Sequence, residues 1–469
     1  MTESQVVQQN KTVSFDISKI SFIFLFFVFN FFLLISNSTN DVAISLSFFT
    51  NLLFIMVFSS LYIFSNRISL MDSVFLVFFY TFFWLAPILQ TKEGIYPNTM
   101  PVEPRLVVLT NFYLLVFGVS YFAFKNLFKM KFKMISIKEE YYKLNQRTFR
   151  IIFFLTVIIF ISFFNYLITN MISASGISLS VETSWMLILN TFIFSFPLYI
   201  AYHSSLRLKN TNSKVFMFII SILLLLFFKN PFLIKRNALG PIYLTLFFIF
   251  FKGKFNNFRM LLFLILVLSI IFPFSQAFTH NSSLVVGDLF ETFVSRLKTL
   301  DVKQALTSLD YDAWSNFMAA IRYSEIESIT YGRQLVGVIL FFVPRSIWPN
   351  KPVGSGAFVA GNMLMTRYSF SFTNISMPFP GEGYINFGIL GVILFALILA
   401  LVSRITDKWY KYNDLRLFFS LYVCFHMIYM LRGDLMSSFA FLVGNLLAMF
   451  YFPLVLNRIT CRREKIEKP

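Results

Sequence analysis

Charge is scarce in this chain, at 13% of 469 residues, and so are cysteine, with two, and histidine, with three. The two cysteines, Cys424 in an apolar run and Cys461 in a basic tail, give neither a disulfide framework nor a thiolate metal site. No HExxH, Walker or paired Cys/His pattern occurs, so a zinc-hydrolase or ATP-driven reaction has no support, and no cofactor is expected. What fills the chain instead is apolar: 57% hydrophobic and 20% aromatic residues, with a mean hydropathy of +0.71. Soluble domains do not reach such values, and the sequence predicts an integral membrane protein. The 66 phenylalanines exceed what packing needs, and an AT-rich genome explains them plainly.

Runs long enough to cross a bilayer, about 17 to 25 residues each, fall near 20–36, 43–65, 70–90, 105–124, 151–170, 184–203, 215–231, 237–251, 259–275, 383–403, 416–431 and 435–456. The expected fold is therefore an all-α polytopic membrane protein of about 12 spans. Its N-terminus, MTESQVVQQNKTVSFD, lacks a small-residue cleavage site, so the first run reads as a retained span. With that terminus inside, both tails and most of the 40 Lys and Arg fall on the cytoplasmic side, and topology accounts for the net charge of +18 without nucleic acid. KNLFKMKFKM, from Lys125 to Met134, reads as a juxtamembrane anchor on anionic lipid.

The chain divides into spans over 1–275, an outer segment over 276–382, and spans with a basic tail over 383–469. A connection of more than about 15 residues is usually functional, so the outer segment is where function is sought. Helical spacing there predicts two amphipathic helices, one carrying Leu289, Phe293, Leu297 and Leu300, the other Trp314, Phe317, Met318 and Ile321 with Asp310 or Asp312 as its cap. Trp314 is either packing or a sugar platform. QLVGVILFFV, Gln334 to Val343, is too short to cross and suits an interfacial helix. PRSIWPNKP, Pro344 to Pro352, should be a stiff extended strap that fixes Arg345 and Lys351, with Trp348 at headgroup level. Those two cations could chelate a phosphoryl group or merely meet lipid phosphates.

PRSIWPNKPVGSG, then PGEGYINFGILG (Pro380 to Gly391), then LRGDL (Leu431 to Leu435) resemble, in that order, the oligosaccharide repeat-unit polymerases, the Wzy-type O-antigen polymerases. The likeness covers the C-terminal half, with the turn IKRNALG (Ile234 to Gly240) added before it. It implies a GT-C-like bundle whose large periplasmic loop covers a lateral opening in a bacterial inner membrane, with both termini cytoplasmic. It also implies transfer of a growing glycan from undecaprenyl diphosphate to the next lipid-linked repeat unit, with membrane lipids and a chain-length regulator as further partners. Such a reaction needs cations on a diphosphate and a group that orients or deprotonates a hydroxyl. The resemblance raises Arg236, Arg345 and Arg432 as catalytic candidates; Glu382 is the candidate base on its own position, at the outer entry of a span between Gly381 and Gly383, where partial burial favours the protonated form and the glycines leave room for a sugar. Lys235, Arg322, Trp348, Lys351, Tyr384 and Asp434 are the expected substrate-binding residues.

Plain alternatives stay open for each. Lys235 and Arg236 could snorkel, Arg432 could pair with Asp434, Glu382 could pair with Arg345 or Arg432, and Arg322 could answer the dipole of the helix it closes. His280 is the one histidine placed outside and has no partner at a catalytic spacing, while His203 and His426 read as packed. An O-antigen ligase and a flippase or exporter remain the rival functions.

Overall fold

The computed structural model describes residues 17–466 apart from 95, 99, 102, 128–137, 173–187, 189–190, 207–211, 230–235, 252, 272–301 and 373–374. Every regular element among the described residues is helical. Eight helices are long and apolar enough to cross a membrane: α1 Ile17–Ser36, α2 Val42–Phe64, α3 Leu70–Glu93, α4 Pro104–Leu127, a fifth reached within Glu139–Phe164, then Phe379–Trp409, Leu415–Arg432 and Leu435–Cys461. All lie where apolar runs predict spans. Shorter apolar helices occupy Val215–Phe228, Leu239–Phe251 and Asn257–Ser269. The chain is a polytopic membrane protein by this measure.

In chain order the fifth helix is α5 (Gln146–Ile172), followed by α6 (Phe196–Leu206), α7 (Asn212–Phe228), α8 (Arg236–Phe251) and α9 (Asn257–Leu266). Short helices α10 (Val302–Leu306), α11 (Ala313–Ile326), α12 (Arg333–Ile339) and α13 (Ser355–Val359) form the loop region. α14 (Phe379–Trp409), α15 (Leu415–Arg432) and α16, which begins at Leu435, complete the chain. α3 is the hub, almost wholly buried against α2, α9 and α15. Its Phe75, Phe78, Phe79, Phe82, Phe83 and Trp84 face inward all round, and Phe78 stacks on Phe82 at 4.5 Å. A helix that is apolar on every side is stable only in such a position. α1, by contrast, exposes most of its surface, as a lipid-facing helix would.

Among the described residues four helical stretches widen into π turns, and two of these, Thr81–Leu85 and Leu447–Tyr451, end two residues before a proline within the helix, Pro87 and Pro453. A helix-interior proline offers no N–H and crowds the carbonyl four residues back, and one extra residue in the preceding turn relieves both defects.

Several expectations for the loop region change. PRSIWPNKP is not extended: Ile347 and Trp348 donate their N–H groups to Pro344 O, and Lys351 N–H bonds to Trp348 O. Pro349 sits second in that last turn, where its fixed φ favours turning. The helix foreseen over 334–343 stops at Ile339 and passes into further turns. α11 forms as expected, but Asp312, though at its N-cap position, makes no capping bond. Arg322 lies inside α11, one turn before its end, and no basic residue occupies the last turn. The helix expected around Leu289 to Leu300, His280 and Lys235 lie outside the described residues, and Arg236 opens α8 with its side chain outside them too.

α14 is not one continuous rod. Phe387 (φ −143°, ψ 19°) and Gly388 (φ 60°, ψ −146°) leave helical geometry and divide it. Beyond the break the chain doubles back, so that Gly383 and Gly391 meet backbone to backbone, each where the other's Cβ would stand. Only glycine permits that approach. Thr330 secures the break, its N–H and Oγ1 donating to Ile385 O at 2.8 and 3.1 Å.

Candidate functional site

The half-helix Phe379–Asn386 brings Glu382 into the centre of the C-terminal region. Its carboxylate is fully buried. Ser355 Oγ donates to Oε2 at 2.6 Å, and the Leu435 N–H donates to Oε1 at 2.9 Å. Asp434 stands beside it as the N-cap of α16, accepting from Met436 N–H and from Gly356 N–H, both at 3.0 Å. The two carboxylates repel each other across this junction. Burial pushes the Asp434 carboxyl above the usual carboxylate range, and the amides of Gly356, Met436 and Ser437 pull against that rise.

The glycines flanking Ser355 make the approach possible. A Cβ on Gly354 would coincide with the Asp434 carboxylate, and one on Gly356 would strike Ile375 O. Residues 354–356, 382 and 434–435 come from three different segments of the sequence. All three therefore meet in one hydrogen-bonded junction.

One residue before the Gly433 turn, Arg432 reaches the opposite way. Its Nη2 donates to Leu309 O at 2.9 Å and lies 3.4 Å from Asp312 Oδ1 and 4.0 Å from Asp310 Oδ1. Asp312 also accepts from Ser376 Oγ at 2.6 Å and Asn316 Nδ2 at 2.9 Å. Asn316 Oδ1 in turn accepts from Asn98 Nδ2 at 3.2 Å. Arg432 is thus paired, but with Asp310 and Asp312, not with the neighbouring Asp434. Glu382 takes its bonds from Ser355 and Leu435, not from Arg345 or Arg432. The turn 432–435 fastens α15 and α16 to α11 on one side and to α13 on the other.

The cations of PRSIWPNKP are used locally. Arg345 Nη1 donates to Lys351 O at 2.8 Å, and buried Lys351 donates through Nζ to Val343 O at 3.0 Å and to Phe341 O. Burial first, and the adjacent Arg345 second, lower the proton affinity of Lys351. Of the three arginines expected to share one anion, Arg345 thus braces its own turn and Arg432 braces α11, while the side chain of Arg236 lies outside the described residues. Arg345 keeps an exposed side chain and Trp348 a half-buried one.

Arg322 lies 3.4 Å from both Glu103 and Glu325, and Arg105 Nη2 is 2.6 Å from Glu325. Hydrogen bonding to Tyr368 leads the effects that raise the basicity of Arg322. Tyr384, two residues from Glu382 and so on another face of the half-helix, packs its ring 5.1 Å from Tyr113 and 6.0 Å from Phe317. Trp314 is core: it is fully buried beside Phe48 and Tyr96, with Nε1 donating to Asn111 Oδ1 at 2.9 Å. His203 stacks on Phe149 at 4.4 Å, and His426 Nε2 lies 2.8 Å from Ser438 O, so both are packed as expected.

Sequence reasoning missed Ser355, Asp312 and Asn316. VGSG carried a usable signal, since paired glycines mark close backbone approach. Nothing local marked Asp312 as the partner of Arg432, which lies 120 positions away. Among the described residues no group of three His, Cys, Asp or Glu is placed to hold a metal ion.

No protein-family model matches the chain, and no curated protein and no solved structure is significantly similar to it.

Proposed function

We propose that the chain is a glycosyltransferase of a bacterial inner membrane that polymerises undecaprenyl-diphosphate-linked oligosaccharide repeat units at the periplasmic face. The observation that carries this reading is the junction itself. Three stretches that resemble the repeat-unit polymerases contribute Ser355 and Gly356, Glu382, and Asp434 and Leu435, and these residues bond to one another. Separate lipid anchors or loop ends would have no reason to converge on one buried carboxylate. In the same proposal the eight long helices and the shorter apolar ones belong to a GT-C-like bundle of about 12 spans, with both termini cytoplasmic.

In the reaction, the acceptor sugar hydroxyl gives its proton to Glu382 as its oxygen bonds to the anomeric carbon of the donor glycan. The bond from that carbon to the diphosphate oxygen breaks, and undecaprenyl diphosphate leaves with the electron pair. Ser355 holds Oε2 of Glu382 in place for this transfer, and Asp434 holds the amides of Gly356 and Met436. Arg345, whose side chain is exposed, is the candidate contact for the diphosphate, with Arg236 and Lys235 of IKRNALG. Arg432 acts by positioning the turn 432–435. Trp348, Arg322 and Tyr384 are candidate contacts for the glycan, Lys351 acts by bracing the turn that carries Arg345, and a chain-length regulator is a candidate partner.

The test is complementation of a polymerase-null strain. Gln at 382 keeps the volume, accepts from the Leu435 N–H through Oε1 and donates through Nε2 to Ser355 Oγ with that bond reversed, so Glu382→Gln should leave the protein folded and reduce the glycan ladder to a single attached repeat unit. A full ladder from this variant would remove Glu382 and the reading with it. A second reading, transport of the lipid-linked glycan, draws on the interrupted α14 carrying a buried acid, an arrangement also used by transporters. That reading predicts loss of all attached glycan, and ligation predicts the same loss with polymer retained on its lipid carrier.

A further inference from the structure

α12 is built inside out for a helix in water. Gln334, Gly337 and Val338 face the protein, with Gly337 set against Met436 in the first turn of α16 and against Pro352. Val336 and Ile339 face outward, the latter 64% exposed, and Phe342 continues the stripe in the following turn. Ile347, at the tip of the Pro344–Trp348 turn, is 75% exposed, and Val353 adds to the same segment. Arg333 and Arg345 are exposed along it. Five apolar side chains within 18 positions are thus turned away from the protein while a glutamine is turned in. In water that orientation would be unfavourable by the transfer free energy of each side chain.

The place of this stripe in the fold decides what covers it. Met436 lies in the first turn of a helix that crosses the membrane, so the residue packed on it, Gly337, lies at the level where that span enters the bilayer. We infer that α12 and the turn 344–353 form a foot that lies in the membrane boundary, with Val336, Ile339, Phe342 and Ile347 in the acyl region and the guanidinium groups of Arg333 and Arg345 at the lipid phosphates. The occupant of the face is lipid. α12 has only seven residues, too few to cross, and the prolines that follow keep the chain turning at one depth. Half-buried Trp348 suits the headgroup layer. The inference rests on the membrane character of the chain and not on the polymerase reading.

Its test is site-directed spin labelling of the full-length protein in liposomes of phosphatidylcholine and phosphatidylglycerol. Cys424→Ala and Cys461→Ser remove the native thiols, and single cysteines then replace Val336, Ile339, Ile347 and Asn350. Expected are oxygen collision rates above those of a water-soluble nickel chelate at 336, 339 and 347, with the reverse order at 350. Nickel rates equal to or above oxygen rates at 339 or 347 would overturn the foot. So would spin–spin broadening at those sites that disappears on dilution with unlabelled protein, because a second copy would then be the cover. Melting behaviour matching the cysteine-free parent excludes misfolding as the source of either result, since all the substituted side chains project outward.

Discussion

A methyl group at Gly356 would meet the backbone carbonyl of Ile375, which cannot swing aside as a side chain can. Gly356→Ala should therefore cost on the order of 1–3 kcal/mol, the usual penalty of overpacking, and should appear as a lower melting temperature. Gly361→Ala is the matched control, since a Cβ there meets open space and should leave melting unchanged. Asp434 gives a pH prediction at the same scale. Its folded form holds a proton to higher pH than the unfolded chain does, so the folded state binds more protons between the ordinary aspartate value and the raised one. Its contribution to stability is thus greatest below that window and declines as pH rises through it. Asp434→Asn should flatten the fall in melting temperature on going from mildly acidic to neutral pH. A slope as steep as that of the parent would show that other groups produce it.

At the scale of elements, the interruption of α14 is the feature on which the site depends, because an unbroken helix would carry Gly383 away from Gly391 and Glu382 away from Ser355. Gly388, at φ 60°, is the residue that only glycine tolerates well, and Gly388→Ala should cost about 1–2 kcal/mol. Thr330→Val removes the Oγ1 bonds to Ile385 O and Asn386 Oδ1 and should cost about 1 kcal/mol. Faster amide exchange over 382–388, with other segments unchanged, is the measurement that locates the effect. Element existence was legible in the sequence, for apolar runs long enough to cross leave few alternatives. The break was half legible: Gly388 and Gly391 in FGILG announce a disturbed helix, but which way the chain turns depends on Thr330 and on the Gly383 contact. PRSIWPNKP failed for a related reason. Proline fixes φ and leaves ψ free, so three prolines suit a series of turns as well as an extended strap.

At the scale of the whole molecule, the far ends of α3, α4 and α14 meet at Lys125, and this is where local reading of the sequence was least able to see. Standing beside a basic run, Lys125 looks like a lipid anchor. In the structure its Nζ lies 2.6 Å from Asp72 Oδ2, 2.8 Å from Asp407 Oδ2 and 2.7 Å from Ser69 Oγ, with the side chain only 11% exposed. Tyr121 OH adds a bond to Asp72 Oδ1 at 2.6 Å and lies 3.1 Å from Ser403 Oγ. Two carboxylates and one ammonium, drawn from three helices, therefore stand in place of a headgroup contact. Removing the cation leaves two neighbouring acids in low dielectric with no opposite charge between them, and breaking a buried pair in this way costs about 3–5 kcal/mol. Lys125→Met should thus lower the melting temperature far more than neutralising any exposed lysine of the chain. Asp407→Asn in the same molecule should recover part of the loss, because one of the stranded charges is gone and the coupling between the two sites is then positive in a double-mutant cycle. An anchor on lipid predicts additive effects and a loss that depends on the anionic lipid content of the bilayer. Melting curves of the four variants of the cycle, in one detergent without anionic lipid, separate the two.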